Sequence, residues 1–111
     1  MEIEIQMMDG IRVATVIGSL DALTSDKLVT ALDSVIEQGG NNQVLDLSQT
    51  EFMSSAGLRA ILTTLKQCRS LGGDLRLSGA LPGVIKVLNL SGITSILKIY
   101  PTLPEALASF G

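Results

Sequence analysis

The chain opens on a strict two-residue alternation, EIEIQMM over residues 2–8, which stops at Asp9-Gly10 and is followed by IRVATVIG over 11–18. Ile3, Ile5 and Met7 share one face and Glu2, Glu4 and Gln6 the other, the period of a half-buried strand. Asp-Gly supplies the positive φ angles of a tight hairpin turn, so the two runs are predicted to pair antiparallel. Beyond Gly18 the pattern becomes helices alternating with short apolar runs. Leu28, Leu32, Val35 and Ile36 mark a first helix, with Thr24 or Ser25 as its cap and Gly39-Gly40 as its stop. QVLDL (43–47) predicts a buried strand, and Leu58, Ile61, Leu62, Leu65 and Cys68 form the stripe of a second helix ending near Gly72-Gly73. DLRLS (74–78) predicts a strand. Pro82 suits the first turn of a third helix carrying Val84, Ile85, Val87 and Leu88 and ended by Ser91-Gly92. ILKIY (96–100) then predicts a strand and LPEALASF (103–110) a short helix.

The order ββαβαβαβα admits few topologies. Strands joined through helices lie parallel and are connected by right-handed crossovers. The expectation is an α/β fold, one domain over residues 1–111: a mostly parallel sheet of four to five strands with an N-terminal antiparallel hairpin and about four helices.

Composition narrows what such a fold can do. With 46% hydrophobic residues in 111, one core suffices, and charges interrupt every segment before the ~18 apolar residues of a membrane span accumulate. MEIEIQMM has no basic n-region or apolar h-region, so no secretory signal is read and a cytoplasmic location is expected. The single cysteine, Cys68, cannot form an intrachain disulfide, which fits a reducing compartment; its place on the stripe favours a buried apolar role over a reactive thiol. Net charge is −3, with no basic run and only one Tyr, two Phe and no Trp, which argues against a direct nucleic-acid partner. The chain has no histidine, which removes Ser-His and Cys-His nucleophile activation and imidazole metal ligation. A serine hydrolase also lacks its G-x-S-x-G, and the glycine pairs lack the lysine and spacing of a phosphate loop. No catalytic residue, metal ligand or cofactor is expected.

The stretch DLSQTEFMSSAGLRAIL (46–62) carries the candidate site: a buried strand, a polar turn, and two serines at the mouth of the second helix. With Ser54 as N-cap, Met53 and Leu58 become the apolar pair of a hydrophobic staple; with Ser55 as cap the pair would be Ser54 and Arg59, which have no apolar contact to make. Ser54 is therefore expected to cap through its hydroxyl, for ~1 kcal/mol, leaving Ser55 as the first helical residue with a free hydroxyl. A phosphoryl group there adds roughly −1.5 to −2 charges at a helix end that tolerates anions, so the host stays folded while its surface changes. Read blandly, both are small polar residues at a helix start.

VLDLSQTEFMSSAGLRAIL resembles the signature of the STAS domain as found in bacterial anti-sigma factor antagonists, and the likeness extends to GSLDALTSDKL and to VLNLSGITSILKIYPTLPEAL. The resemblance implies that a serine at the start of the second helix is phosphorylated by a partner that is both serine kinase and anti-sigma factor, that the unphosphorylated form binds that partner, and that a serine phosphatase resets it. The phosphorylated position falls on Ser55, with Ser54 as the alternative; many members have aspartate where this chain has Ser54. It further implies a partner-binding surface of Asp21, Ser54, Ser55, Ala56, Gly57 and Arg59. Asp21 follows a strand parallel to the one before the serines, so both loops are expected at one sheet edge; its other reading is a turn aspartate satisfying local N–H groups. Asp46 is read as an anchor of the serine turn, and Met53 and Leu58 as support. STAS domains also serve membrane transporters and sensor assemblies, a role this chain would fill in trans.

Overall fold

In a computed structural model, residues 1–111 form β1 (Glu2–Met8), β2 (Ile11–Leu20), α1 (Ser25–Glu37), β3 (Asn42–Asp46), β4 (Thr50–Met53), α2 (Ser55–Ser70), β5 (Asp74–Ser78), α3 (Pro82–Ser91), a 3-10 turn at Ile93–Ser95, β6 (Ile99–Tyr100) and α4 (Leu103–Ala108). The predicted hairpin is present: β1 and β2 pair antiparallel from Glu2↔Ile17 to Met8↔Ile11, and both turn residues have positive φ, 53° at Asp9 and 77° at Gly10. All other pairings are parallel, in the order β1-β2-β3-β5-β6.

Strand alternation divides the interior in two. Ala14, Val16, Leu45, Leu75 and Leu77 point into the main core, where they meet Leu28 and Leu32 of α1, Ile61, Leu65 and Cys68 of α2, and Val84 and Leu88 of α3. Ile11, Val13 and Val44 point to the other face and are covered by Ala106 of α4, with Leu103, Leu107 and Phe110 around it. Arg76, between Leu75 and Leu77 on β5, also lies on the α4 side; its guanidinium stacks over the Phe110 ring at 4.1 Å and donates to Ser109 Oγ at 2.6 Å.

Two expectations are corrected. The sheet has six strands, because residues 50–53, read as part of a polar turn, form β4. β2 is two residues longer than predicted and outruns β3, so its last backbone groups need a partner; β4 supplies it through Gly18↔Thr50, Ser19↔Phe52 and Leu20↔Met53, with a bulge at Glu51. The buried Thr50 fixes this register by donating its hydroxyl to Val16 O at 2.9 Å. At the far end only Ile99 and Tyr100 of the predicted ILKIY strand pair with β5, since Leu97 is drawn into the core behind the 3-10 turn.

Candidate functional site

β2 and β4 end side by side, and that juxtaposition builds the site. Leu20 is in register with Met53, and Ser54 N–H donates to Leu20 O at 3.0 Å, so Asp21 and the two serines leave the sheet from the same carboxyl edge. Gly57 makes the close approach possible: a Cβ there would lie 2.8 Å from Leu20 O, 2.9 Å from Leu20 Cγ and 3.1 Å from Met53 Cγ. Expected on the contact surface, Gly57 is instead buried, and its contribution is to let α2 dock against the end of β2.

Ser54 occupies the N-cap position of α2 with extended backbone, and its carbonyl accepts the first helical bond from Leu58 N–H at 3.1 Å. The expected side-chain cap is absent. Ser54 Oγ is shielded from solvent and has no hydrogen-bond partner, because the docked helix start turns that hydroxyl into the protein rather than toward the free N–H groups. Met53 and Leu58 do meet the same core, Met53 fully buried and Leu58 partly. Ser55 is the first helical residue and is exposed. Ala56 is half-buried and Arg59, one turn further on, is exposed.

Asp21 spends one carboxylate oxygen locally. Its Oδ1 accepts from Leu23 N–H at 2.9 Å and lies 3.2 Å from Thr24 Oγ1, whose hydroxyl donates to Ser19 O at 2.9 Å and accepts from Asp21 N–H. Thr24 is thus at the N-cap of α1 but uses its hydroxyl to close the preceding loop. Asp46 does the same for the turn after β3, accepting from Ser48 N–H at 3.0 Å; it anchors the turn that leads into β4 rather than the serine junction itself.

Two residues that sequence reasoning passed over stand at this edge. Leu23, in the Asp21 loop, is 92% exposed, and Phe52, two residues before Ser54, is 53% exposed. An apolar side chain at the tip of a polar loop and an aromatic outside both periodic stripes were the available signals. Acidic Asp21, Asp26 and Glu51 lie on the surrounding elements with Arg59 among them, and none is in an ion pair, since both ion pairs of the molecule involve Asp74. The chain has no histidine that could deprotonate the Ser55 hydroxyl. Elsewhere on α2, the buried Cys68 thiol is pushed up to about 11, first by desolvation and then by the Asp74 charge, so it stays protonated. No helix is long and apolar enough to cross a membrane.

Known proteins are similar to this chain in sequence and in fold. BtrV of Bordetella bronchiseptica is 32% identical over 110 residues, spanning 99% of this chain and 95% of its own. An anti-sigma F factor antagonist of Paenibacillus polymyxa is 32% identical over 108 residues, with 96% and 92% covered. The crystal structure of an anti-sigma factor antagonist from Mycobacterium paratuberculosis superposes with a TM-score of 0.89 at 28% identity over 97% of this chain and 92% of that one. The family model of the STAS domain matches residues 2–106, and with the hairpin, the parallel sheet and the serine-bearing helix start all in place, the chain belongs to the STAS domain family.

Proposed function

We propose that the protein is an anti-sigma factor antagonist: a non-catalytic module of the cytoplasm that binds an anti-sigma factor with serine kinase activity through the Asp21–Ser55 edge and is released when Ser55 is phosphorylated. The observation that carries this reading is the unequal exposure of the two serines. Ser55 offers its hydroxyl at the surface, whereas Ser54 Oγ is sealed inside. In the transfer, the terminal phosphoryl group of ATP passes to Ser55 Oγ, ADP leaves, and the hydroxyl proton goes to a base on the kinase. The new charge would stand on the same sheet edge as the exposed Leu23 and Phe52, which fit the role of apolar anchors. A serine phosphatase would restore the binding form. The homologues that match almost end to end favour this reading over a transporter subunit.

The test is incubation with a candidate kinase and ATP, mass mapping of the phosphate, and affinity measurement for both forms. Phosphate on Ser55 and weaker binding of the modified form are expected. Phosphate on Ser54 alone, or equal affinity of the two forms, refutes the proposal.

A further inference from the structure

We infer that Arg59 is the built-in counter-ion of phosphorylated Ser55, a positioning residue that takes hold of the phosphoryl group and, in doing so, leaves the partner-facing surface. This rests on Ser55 being the modified residue. Ser55 and Arg59 are four residues apart on α2, the spacing that stacks side chains on one helix face, with the anion N-terminal to the cation as the favourable order. Both are exposed. Arg59 stands on the ridge between two shallow grooves, one lined by Ser25, Asp26 and Val29 of α1 and the other by Ile93 and Ile96 after α3. The other two arginines of the second half of the chain are committed, Arg69 and Arg76 both pairing with Asp74, while Arg59 has no ion pair.

Beyond the free N–H groups of the helix start, the neighbouring side chains offer a phosphoryl group at position 55 few cations. Asp21 on the β2–α1 loop, Asp26 on α1 and Glu51 on β4 are acidic and would repel it. Lys27 of α1 reaches away to donate to Met1 O at 3.0 Å. Arg12 stands at the other end of β2, opposite Gln43, Lys66 is two turns beyond Arg59 on α2, and Lys86 lies on α3, which packs beside β4. A guanidinium one turn along the same helix can meet a phosphate with two parallel N–H donors, which an ammonium cannot. Before modification Arg59 is free to face an acidic group on the partner; afterwards it is neutralised within the chain. Phosphorylation then changes two features of the surface at once, adding negative charge at Ser55 and withdrawing the positive charge of Arg59.

The test separates this inference from the identity of the modified serine by installing phosphoserine at position 55 by semisynthesis and following its second ionisation by 31P NMR. A nearby cation favours the dianion, so the phosphoserine pKa should rise by about 0.3 of a pH unit or more in Arg59→Gln, return most of the way in Arg59→Lys, and stay put in Lys86→Gln. Raising salt should shrink the difference between native and Arg59→Gln proteins. An unchanged pKa in Arg59→Gln, or an equal rise in Lys86→Gln, overturns the inference even if a kinase does modify Ser55. Kinase modification at Ser54 would refute the functional proposal while the 31P result still decided whether Arg59 holds a phosphoryl group at position 55.

Discussion

The two ends of the sheet are built differently. At the amino edge, side chains tie together elements far apart in the chain: Asn41 Nδ2 donates to Leu71 O at 2.8 Å, Asp74 N–H donates to Asn42 Oδ1 at 3.1 Å, and Arg69 donates to Asp74 and to Ile96 O. At the carboxyl edge, apart from the buried Thr50 anchor and the exposed bond from Lys27 to Met1 O, the side-chain bonds are local, closing the Asp21 and Asp46 turns on themselves. There Ser55, Arg59, Glu51, Leu23 and Phe52 remain uncommitted. An edge whose polar groups are already satisfied has little to offer a partner, and one whose turns are held from below can present exposed groups without losing its shape.

The contrast is most exposed at two glycines. A Cβ on Gly73 would lie 1.9 Å from Asn41 O and 2.5 Å from its carbonyl carbon, a collision of backbone with backbone. Gly73→Ala should cost about 3 kcal/mol or more in chemical denaturation. At Gly57 the clash is milder, 2.8 Å from Leu20 O and 2.9 and 3.1 Å from the Cγ atoms of Leu20 and Met53, so Gly57→Ala should cost less, roughly 1–2 kcal/mol. A larger loss at Gly57 would reverse the ranking of the two edges.

Much of this architecture was legible in the sequence, and the failures share a cause. Period 2, Asp-Gly and the apolar stripes gave the hairpin, the helices and the order of strands because those signals are local. β4 was missed because TEFM has no alternation of its own; it is a strand only because β2 leaves Gly18–Leu20 unpaired. The staple correctly put Ser54 at the cap, yet the cap bond is missing because the hydroxyl's direction depends on how Gly57 seats α2, a tertiary fact. Arg59 and Arg76 look alike in sequence; only the fold brings Phe110 and Ser109 to one of them.

Behind the amino edge, Cys68 provides a pH-dependent probe. Its pKa is raised from 9.0 to about 11 in the fold, so the folded state holds the proton longer than the unfolded chain. That contribution is fully present below pH 9 and is lost as pH rises through 11, amounting to about 2–3 kcal/mol. Denaturation of the native protein and Cys68→Ala across this window isolates the effect, since other titrating groups are common to both. The stability difference between them should narrow or reverse as pH rises; a constant difference would mean that the thiol is not desolvated. Below pH 9 the native thiol should label only as fast as the protein opens.

Smaller again is the effect of the two edge aspartates, which respond in opposite ways. Asp74→Ala removes both ion pairs and the Leu75 N–H bond, but in a partly exposed setting, so about 1 kcal/mol is expected. Asp21→Asn keeps an oxygen for Leu23 N–H and changes only the charge; stability should move by less than about 0.5 kcal/mol while partner binding weakens. Equal destabilisation with normal binding would make Asp21 a turn residue and no more.

The smallest change is the most diagnostic for the serine pair. Had Ser54 capped α2 through its hydroxyl, Ser54→Ala would cost ~1 kcal/mol. With Oγ buried and without a partner, the substitution removes an unpaired polar atom and leaves the cap backbone, held by Leu20 O and Leu58 N–H, untouched. Stability should therefore stay level or rise by up to about 1 kcal/mol. Phosphorylation of Ser55 in this variant should proceed at close to the native rate, because the exposed hydroxyl and the helix that carries it are unaltered. A loss of stability near 1 kcal/mol would show that the hydroxyl turns outward to cap the helix in solution, and would make Ser54 as open to modification as Ser55.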